Sequence, residues 1–308
     1  MTATAPRPTT DSPEGLERTL SVAGRRIRVA VRPGMGASGA TGESDTGASG
    51  ATGETDKAVR PLVLVNGIGA SLELLEPLAG TLDPRREIVR FDVPGIGGSQ
   101  GSTVPLPMAA LSTLVADLLD QLDQLTGVSH RVVDLLGLSW GGGVAQQFAL
   151  QYPHRTGRLV LASTGTGVMM VPARIGVLAR MLTPRRYNDP TYRRRAGREI
   201  YVGEDADAVD ALFARVMPVR ASAYLHQLFA LTTWTSLPVL PLITAPTLIL
   251  AGRRDPVIPV VNAHLMASLL PHATVHLHDG GHLGLLTRPD ALGRVVDDFL
   301  GPIPPHAP

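Results

Sequence analysis

The chain has 308 residues, 28 Lys and Arg against 27 Asp and Glu, a formal net charge of +1 and 44% apolar side chains. That is enough apolar length for a sizeable core, and it excludes a disordered chain. The absence of cysteine excludes disulfides, thiolate zinc sites, iron–sulfur clusters and a cysteine nucleophile, while near-neutral charge with 4% aromatic residues gives no footprint for nucleic acid. Glycine and proline are in excess, with 33 and 26 copies.

Residues 1–15 are rich in Thr and Pro and lack the apolar run of a secretory signal, which predicts a disordered tail and a cytoplasmic location. Residues 18–23 and 26–32 alternate in part around Gly24 and read as a hairpin. An eleven-residue unit, GASGATGESDT at 36–46, is duplicated as GASGATGETDK at 47–57, too short and polar to be a folding repeat. It marks a flexible Gly-rich insert over 34–57. Strands follow at 62–66 (LVLVN), 87–92 (EIVRFD), 131–138 (RVVDLLGL), 158–163, 246–251 and 274–278, with helices at 111–125 and 142–152. This alternation predicts an α/β class with a mostly parallel sheet covered by helices on both faces.

Between 166 and 236 the alternation stops, and helical patterns at 171–182, 206–216 and 221–231 predict a helical cap inserted between two sheet strands. The predicted organisation is a core of 16–165 and 237–301, the cap over 166–236, and a loose tail over 302–308. A basic stretch at 185–198 reads first as solvated cap surface, with an anionic or granule surface as its functional alternative. No run of about 18 uninterrupted apolar residues exists, so no membrane span is expected; the best candidate, 237–251, contains three prolines.

The chemistry is concentrated in four loops. Gly137-Leu138-Ser139-Trp140-Gly141 is a G-x-S-x-G elbow between a predicted strand and helix, which makes Ser139 the candidate nucleophile. A serine hydroxyl needs a base and the base an orienting acid. His282, in DGGHL just past the last strand, is the candidate base, ahead of His272, His276 and His278. Asp255, in GRRDPVIP after PTLILA, is the candidate acid, and the order 139, 255, 282 fits the elbow pattern. Asp279 is a rival in a tight turn, while Asp134 and Asp92 suit structural roles. Donors for an oxyanion are expected from the backbone N–H groups of Trp140 and of Ile68, in NGIGA directly after LVLV. No phosphate loop, metal site or cofactor is expected. The cap residues Val168 to Met170, Val177 and Met181 are candidates for an acyl-chain tunnel, against ordinary packing on the sheet.

These residues resemble an α/β-hydrolase and, more narrowly, the intracellular poly(3-hydroxyalkanoate) depolymerases acting on medium-chain-length polyesters. The likeness runs through LVNGIGASLELLEPLAGTLDP (64–84), FDVPGIGGS (91–99), GLSWGGGVAQQFALQYP (137–153), VMMVPARIGVLARMLTPRRY (168–187), QLFALTTWTS (227–236), LAGRRDPVIPVVNAHL (250–265) and DGGHLGLLTRP (279–289). Asn66, where most relatives of the fold have His, and the Ser139-Trp140 pair are its specific marks. The resemblance implies Ser139, Asp255 and His282 as the triad, and as substrate a storage polyester of 3-hydroxy fatty acids, met as a hydrophobic granule or an acyl ester in the cytoplasm. The other readings of the same residues are a small-molecule carboxylesterase or lipase, a carbon–carbon bond hydrolase, and a non-enzymatic ligand-binding or granule-associated protein.

Overall fold

The computed structural model describes residues 16–35 and 59–301. The predicted tails and nearly all of the duplicated insert lie outside the described residues. Eight strands form one sheet in the order β1-β2-β4-β3-β5-β6-β7-β8. β1 (Leu16–Val22) and β2 (Arg25–Arg32) are an antiparallel hairpin, and β2 runs antiparallel to β4 (Ile88–Phe91). The two turn residues, Ala23 and Gly24, have φ of 47° and 73°, the left-handed pair of a type I′ turn. From β4 onward every pairing is parallel, through β3 (Leu62–Val65), β5 (Val133–Leu138), β6 (Thr156–Ala162), β7 (Thr247–Gly252) and β8 (Ala273–His278).

The central strands are apolar on both faces because both faces are covered. In β3, Val63 and Val65 join one core cluster while Leu62 and Leu64 join the other, as the two-residue period of a strand requires. The first cluster packs α2 (Met108–Thr126), α3 (Trp140–Gln151) and α9 (Val261–Leu269). The second packs α1 (Glu76–Thr81), α10 (Gly284–Thr287) and α11 (Pro289–Leu300), whose Leu292, Val296 and Leu300 recur every four residues on its buried face. Gly127, at φ 69°, ends α2 with a left-handed cap.

The crossover from β6 to β7 carries five helices: α4 (Ile175–Met181), α5 (Arg185–Asn188), α6 (Pro190–Ile200), α7 (Ala206–Arg215) and α8 (Ala221–Thr232). The expected cap helices are therefore present, and the basic stretch is itself helical, as α5 and α6. It departs from a wholly solvated surface: Arg186 and Arg193 are buried, Arg193 pairs with Asp210 on α7, and Arg185, Arg194, Arg195 and Arg198 are exposed.

Candidate active site

Ser139 sits between the last residue of β5 and the first of α3, at φ 53° and ψ −116°. A non-glycine residue there is strained, and the strain lifts the hydroxyl clear of strand and helix. The flanking glycines follow from the same sharp reversal. A Cβ on Gly137 would lie 2.5 Å from Gly141 O, and one on Gly141 would overlap the carbonyl oxygens of Val65 and Asn66.

The structure brings the three predicted side chains together from three strand ends. His282 Nε2 lies 3.0 Å from Ser139 Oγ, and His282 Nδ1 lies 2.8 Å from Asp255 Oδ2. Asp255 Oδ1 accepts from the backbone N–H groups of Val257 and Ile258 at 2.8 and 2.9 Å, which fixes the carboxylate and leaves Oδ2 for the imidazole. Asp255 and His282 are 8% and 4% exposed, so this chain of hydrogen bonds is shielded from competing water. With the ring proton on Nδ1, Nε2 is free to accept a proton from Ser139.

The rival residues lie elsewhere or do other work. Asp279 is an exposed partner of Arg253, and the carboxylate on His282 Nδ1 is that of Asp255 instead. Asp134 is buried between Arg60 and Arg86, and Asp92 holds the backbone N–H groups of Leu72 and Gly98. His278 is buried and accepts from the Gly280 N–H; burial and the nearby Arg288 push its pKa down to about 4, so it is neutral. His276 is half-buried and His272 is exposed.

Trp140 directly follows Ser139, and Ile68 lines the same pocket as the serine. A Cβ built on Gly67 would stand 3.6 Å from Ser139 Cβ, so the NGIGA loop runs beside the hydroxyl. Trp140 opens α3, where the first N–H groups of a helix have no intrahelical acceptor. Asn66 Nδ2 donates to Ser71 O at 2.9 Å and closes the loop from behind. A residue outside the sequence expectations ties both elements together. Gln227 on α8 accepts from Gly69 N–H through its side chain at 2.7 Å and from the Trp140 indole through its main-chain carbonyl at 2.9 Å.

Ser139 and His282 share a pocket with Met181, Arg186, Tyr187, Tyr201 and Phe213 from the cap. Of the residues expected to form an acyl tunnel, only Met181 lines it. Val168 and Met169 are 61% and 55% exposed, Met170 is half-buried, and Val177 belongs to the core cluster. The apolar wall comes instead from three cap rings, packed at tilted angles of 43° and 44° with centroids 5.1 Å (Tyr187 and Phe213) and 5.6 Å (Tyr201 and Phe213) apart. Arg186 donates to Tyr224 Oη at 2.6 Å and to Ile68 O at 3.3 Å, and Tyr187 Oη donates to the same carbonyl at 2.6 Å. Burial opposes the charge of Arg186, and the surrounding Tyr224, Tyr187 and Tyr201 outweigh it, so its pKa is raised and it stays a cation. Nothing in residue spacing marks Arg186, Tyr187 or Gln227; their roles arise from the docking of the cap.

Comparison with known proteins agrees with this fold. A model of the alpha/beta hydrolase fold family matches residues 60–289. The chain is 40% identical over 286 residues, 92% of each protein, to a poly(3-hydroxyalkanoate) depolymerase of Ectopseudomonas oleovorans. Among solved structures, a hydrolase from Pseudomonas aeruginosa superposes with a TM-score of 0.71 at 23% identity, covering 92% of this chain and 98% of that one. An enol-lactonase from Burkholderia xenovorans superposes at 0.72 and 19%, covering 92% and 99%. The chain thus belongs to the alpha/beta hydrolase fold family, as an esterase-type hydrolase related to poly(3-hydroxyalkanoate) depolymerase.

Proposed function

We propose that the protein is a serine esterase that depolymerises poly(3-hydroxyalkanoate), releasing 3-hydroxy fatty acids through an acyl-enzyme. The observation that carries this reading is the Ser139–His282–Asp255 relay, at 3.0 and 2.8 Å, in a chain 40% identical to a depolymerase over 92% of its length. In this mechanism His282 takes the Ser139 proton as Oγ attacks the ester carbonyl, and Asp255 holds the imidazolium that forms. The Ile68 and Trp140 N–H groups receive the oxyanion. The alcohol leaves with the proton from His282, and water, deprotonated by the same imidazole, cleaves the acyl-enzyme. Asp255, His282 and Ser139 return to their starting states, with no cofactor in the cycle. The substrate would be met in the cytoplasm, at storage granules.

The test is a hydrolysis panel: p-nitrophenyl esters of increasing chain length beside granules of short-chain and medium-chain polyester. Release of 3-hydroxy acids from granules by the wild type and its loss in Ser139→Ala is the expected result. Turnover of soluble esters with no release from either granule would replace the depolymerase by a small-molecule carboxylesterase. Absence of a fluorophosphonate adduct at Ser139 would remove the serine mechanism altogether.

A further inference from the structure

A cation buried in a catalytic pocket without a counter-charge is an unfinished interaction. Arg186 is 2% exposed and lines the same pocket as Ser139 and His282. Among the described residues no carboxylate lies within ion-pair distance of it, whereas its helical neighbours Arg185 and Arg193 pair with Asp189 and Asp210. Its side-chain hydrogen bonds among the described residues, to Tyr224 Oη and Ile68 O, engage two of the five N–H donors of a guanidinium. The rings of Tyr187 and Tyr224 lie 4.7 and 5.3 Å from its Cζ, which supports the charge and holds the plane without neutralising it. Desolvating an unpaired charge is costly, and the cost is recovered when an anion arrives.

We propose that Arg186 is a subsite for the terminal carboxylate of a 3-hydroxyacyl chain, so that the enzyme prefers the ester bond next to the acid end. The inference rests on the depolymerase reading above and deepens it. A 3-hydroxy acid chain end carries its carboxylate one methylene from the carbon bearing the ester oxygen, so the anion and the scissile carbonyl are separated by only a few bonds. One residue links the two positions: Ile68 is expected to donate its N–H to the oxyanion, and its carbonyl oxygen lies 3.3 Å from Arg186 Nη2. A planar carboxylate can take two parallel N–H groups of the fork, which no interior unit of the polyester can do.

The step balances without a further reactant. Ser139 Oγ attacks the penultimate carbonyl, the bond from that carbonyl to the 3-oxygen of the terminal unit breaks, and that oxygen takes the proton held by His282. The terminal 3-hydroxy acid departs from Arg186 with its carboxylate unchanged, and water then cleaves the acyl-enzyme to regenerate Ser139 and a new chain-end carboxylate. Each cycle therefore remakes the group that Arg186 recognises.

The experiment compares the linear dimer of a medium-chain 3-hydroxy acid, as the free acid, with the same dimer as its neutral primary amide, following cleavage of the internal ester by chromatography. In the wild type kcat/KM should favour the acid by about tenfold or more, and in Arg186→Gln that ratio should fall to within about twofold of unity. Inhibition of p-nitrophenyl ester hydrolysis by free 3-hydroxy acid, weaker for its amide, should lose the same discrimination in Arg186→Gln. Arg186→Lys, which keeps the charge without the fork, should retain part of it. Because the ratio is read first in the wild type, poor folding of a variant does not spare the idea. Equal turnover of acid and amide by the wild type overturns the subsite and leaves the depolymerase reading standing. A preference that survives in Arg186→Gln also overturns it. Cleavage of neither dimer, with p-nitrophenyl esters still hydrolysed, overturns both.

Discussion

Asp255→Asn is the sharpest probe of the relay, because the structure dictates which way the new amide must face. Asp255 Oδ1 is committed to two backbone donors, Val257 N–H and Ile258 N–H at 2.8 and 2.9 Å, and Oδ2 to His282 Nδ1 at 2.8 Å. Asparagine has one oxygen. Turning its NH2 toward Val257 and Ile258 would set donors against donors in a buried loop and leave both N–H groups unpaired, at a cost of about 1–3 kcal/mol each. The oxygen therefore stays on the backbone and the NH2 faces the imidazole. Nδ1 then has to accept, the ring proton moves to Nε2, and the nitrogen 3.0 Å from Ser139 Oγ can no longer take its proton. The expected loss is about 10⁴-fold in kcat/KM for a soluble p-nitrophenyl ester, ~5 kcal/mol of transition-state stabilisation. The urea midpoint should stay close to that of the wild type, since shape and backbone bonds are kept. A variant within tenfold of wild-type activity would refute this account of the tautomer.

Ser139 is held at φ 53° at a strain of order 1–3 kcal/mol, so Ser139→Gly should be more stable to urea than Ser139→Ala by about 1 kcal/mol after the backbone-entropy cost of glycine; equal midpoints would deny the strain. Gly141→Ala places a methyl group against the Val65 and Asn66 carbonyls and should cost about 1–3 kcal/mol together with fluorophosphonate labelling of Ser139, and unchanged labelling would show that the turn has slack. His130 is buried between Glu87 and Asp123; burial pushes its pKa down, but these two carboxylates outweigh it and raise the value above that of a free imidazole. The folded state therefore holds this proton more tightly, a stabilisation fully present below about pH 6.5 and lost as pH rises through the raised value, so His130→Gln should flatten the alkaline fall of the urea midpoint. His278 works in the opposite sense: its value lies near 4, so its contribution is present above about pH 6.5 and is lost as pH falls, and His278→Gln should soften the acid transition between those limits.

Much of the site was legible because it is built from local grammar. A strand, a two-glycine turn and a helix fix Ser139 by sequence spacing alone, and the parallel sheet carries the ends of β5, β7 and β8 to the same edge, so Asp255 and His282 needed only their order. The hairpin was legible for the same reason, through Gly24. The cap was not. Arg186, Arg193 and Arg194 look alike in sequence, and only the docking of α6 on α7 and of α5 on the NGIGA loop makes the first two buried and the third exposed. Likewise 168–170 reads as an apolar lining, yet Val168 and Met169 face outward because the Gly167 bridge to Thr235 turns that segment away from the pocket. Side chains whose partners lie more than a hundred residues away, such as Gln227 with Gly69, have no signature within any window.

Gln227 carries one more consequence. Its two carbonyl oxygens grip the NGIGA loop on one side and the first residue of α3 on the other, so a single position in α8 spans both elements expected to supply the oxyanion donors. The helices above the sheet are therefore not an interchangeable module. Transplanting the cap of a relative onto this core would import a new substrate pocket only if the graft also reproduced that amide and the height at which α8 sits. A chimera lacking it would have an altered pocket above a loosened oxyanion cradle, which makes residue 227 the first to preserve when the specificity of this scaffold is redesigned.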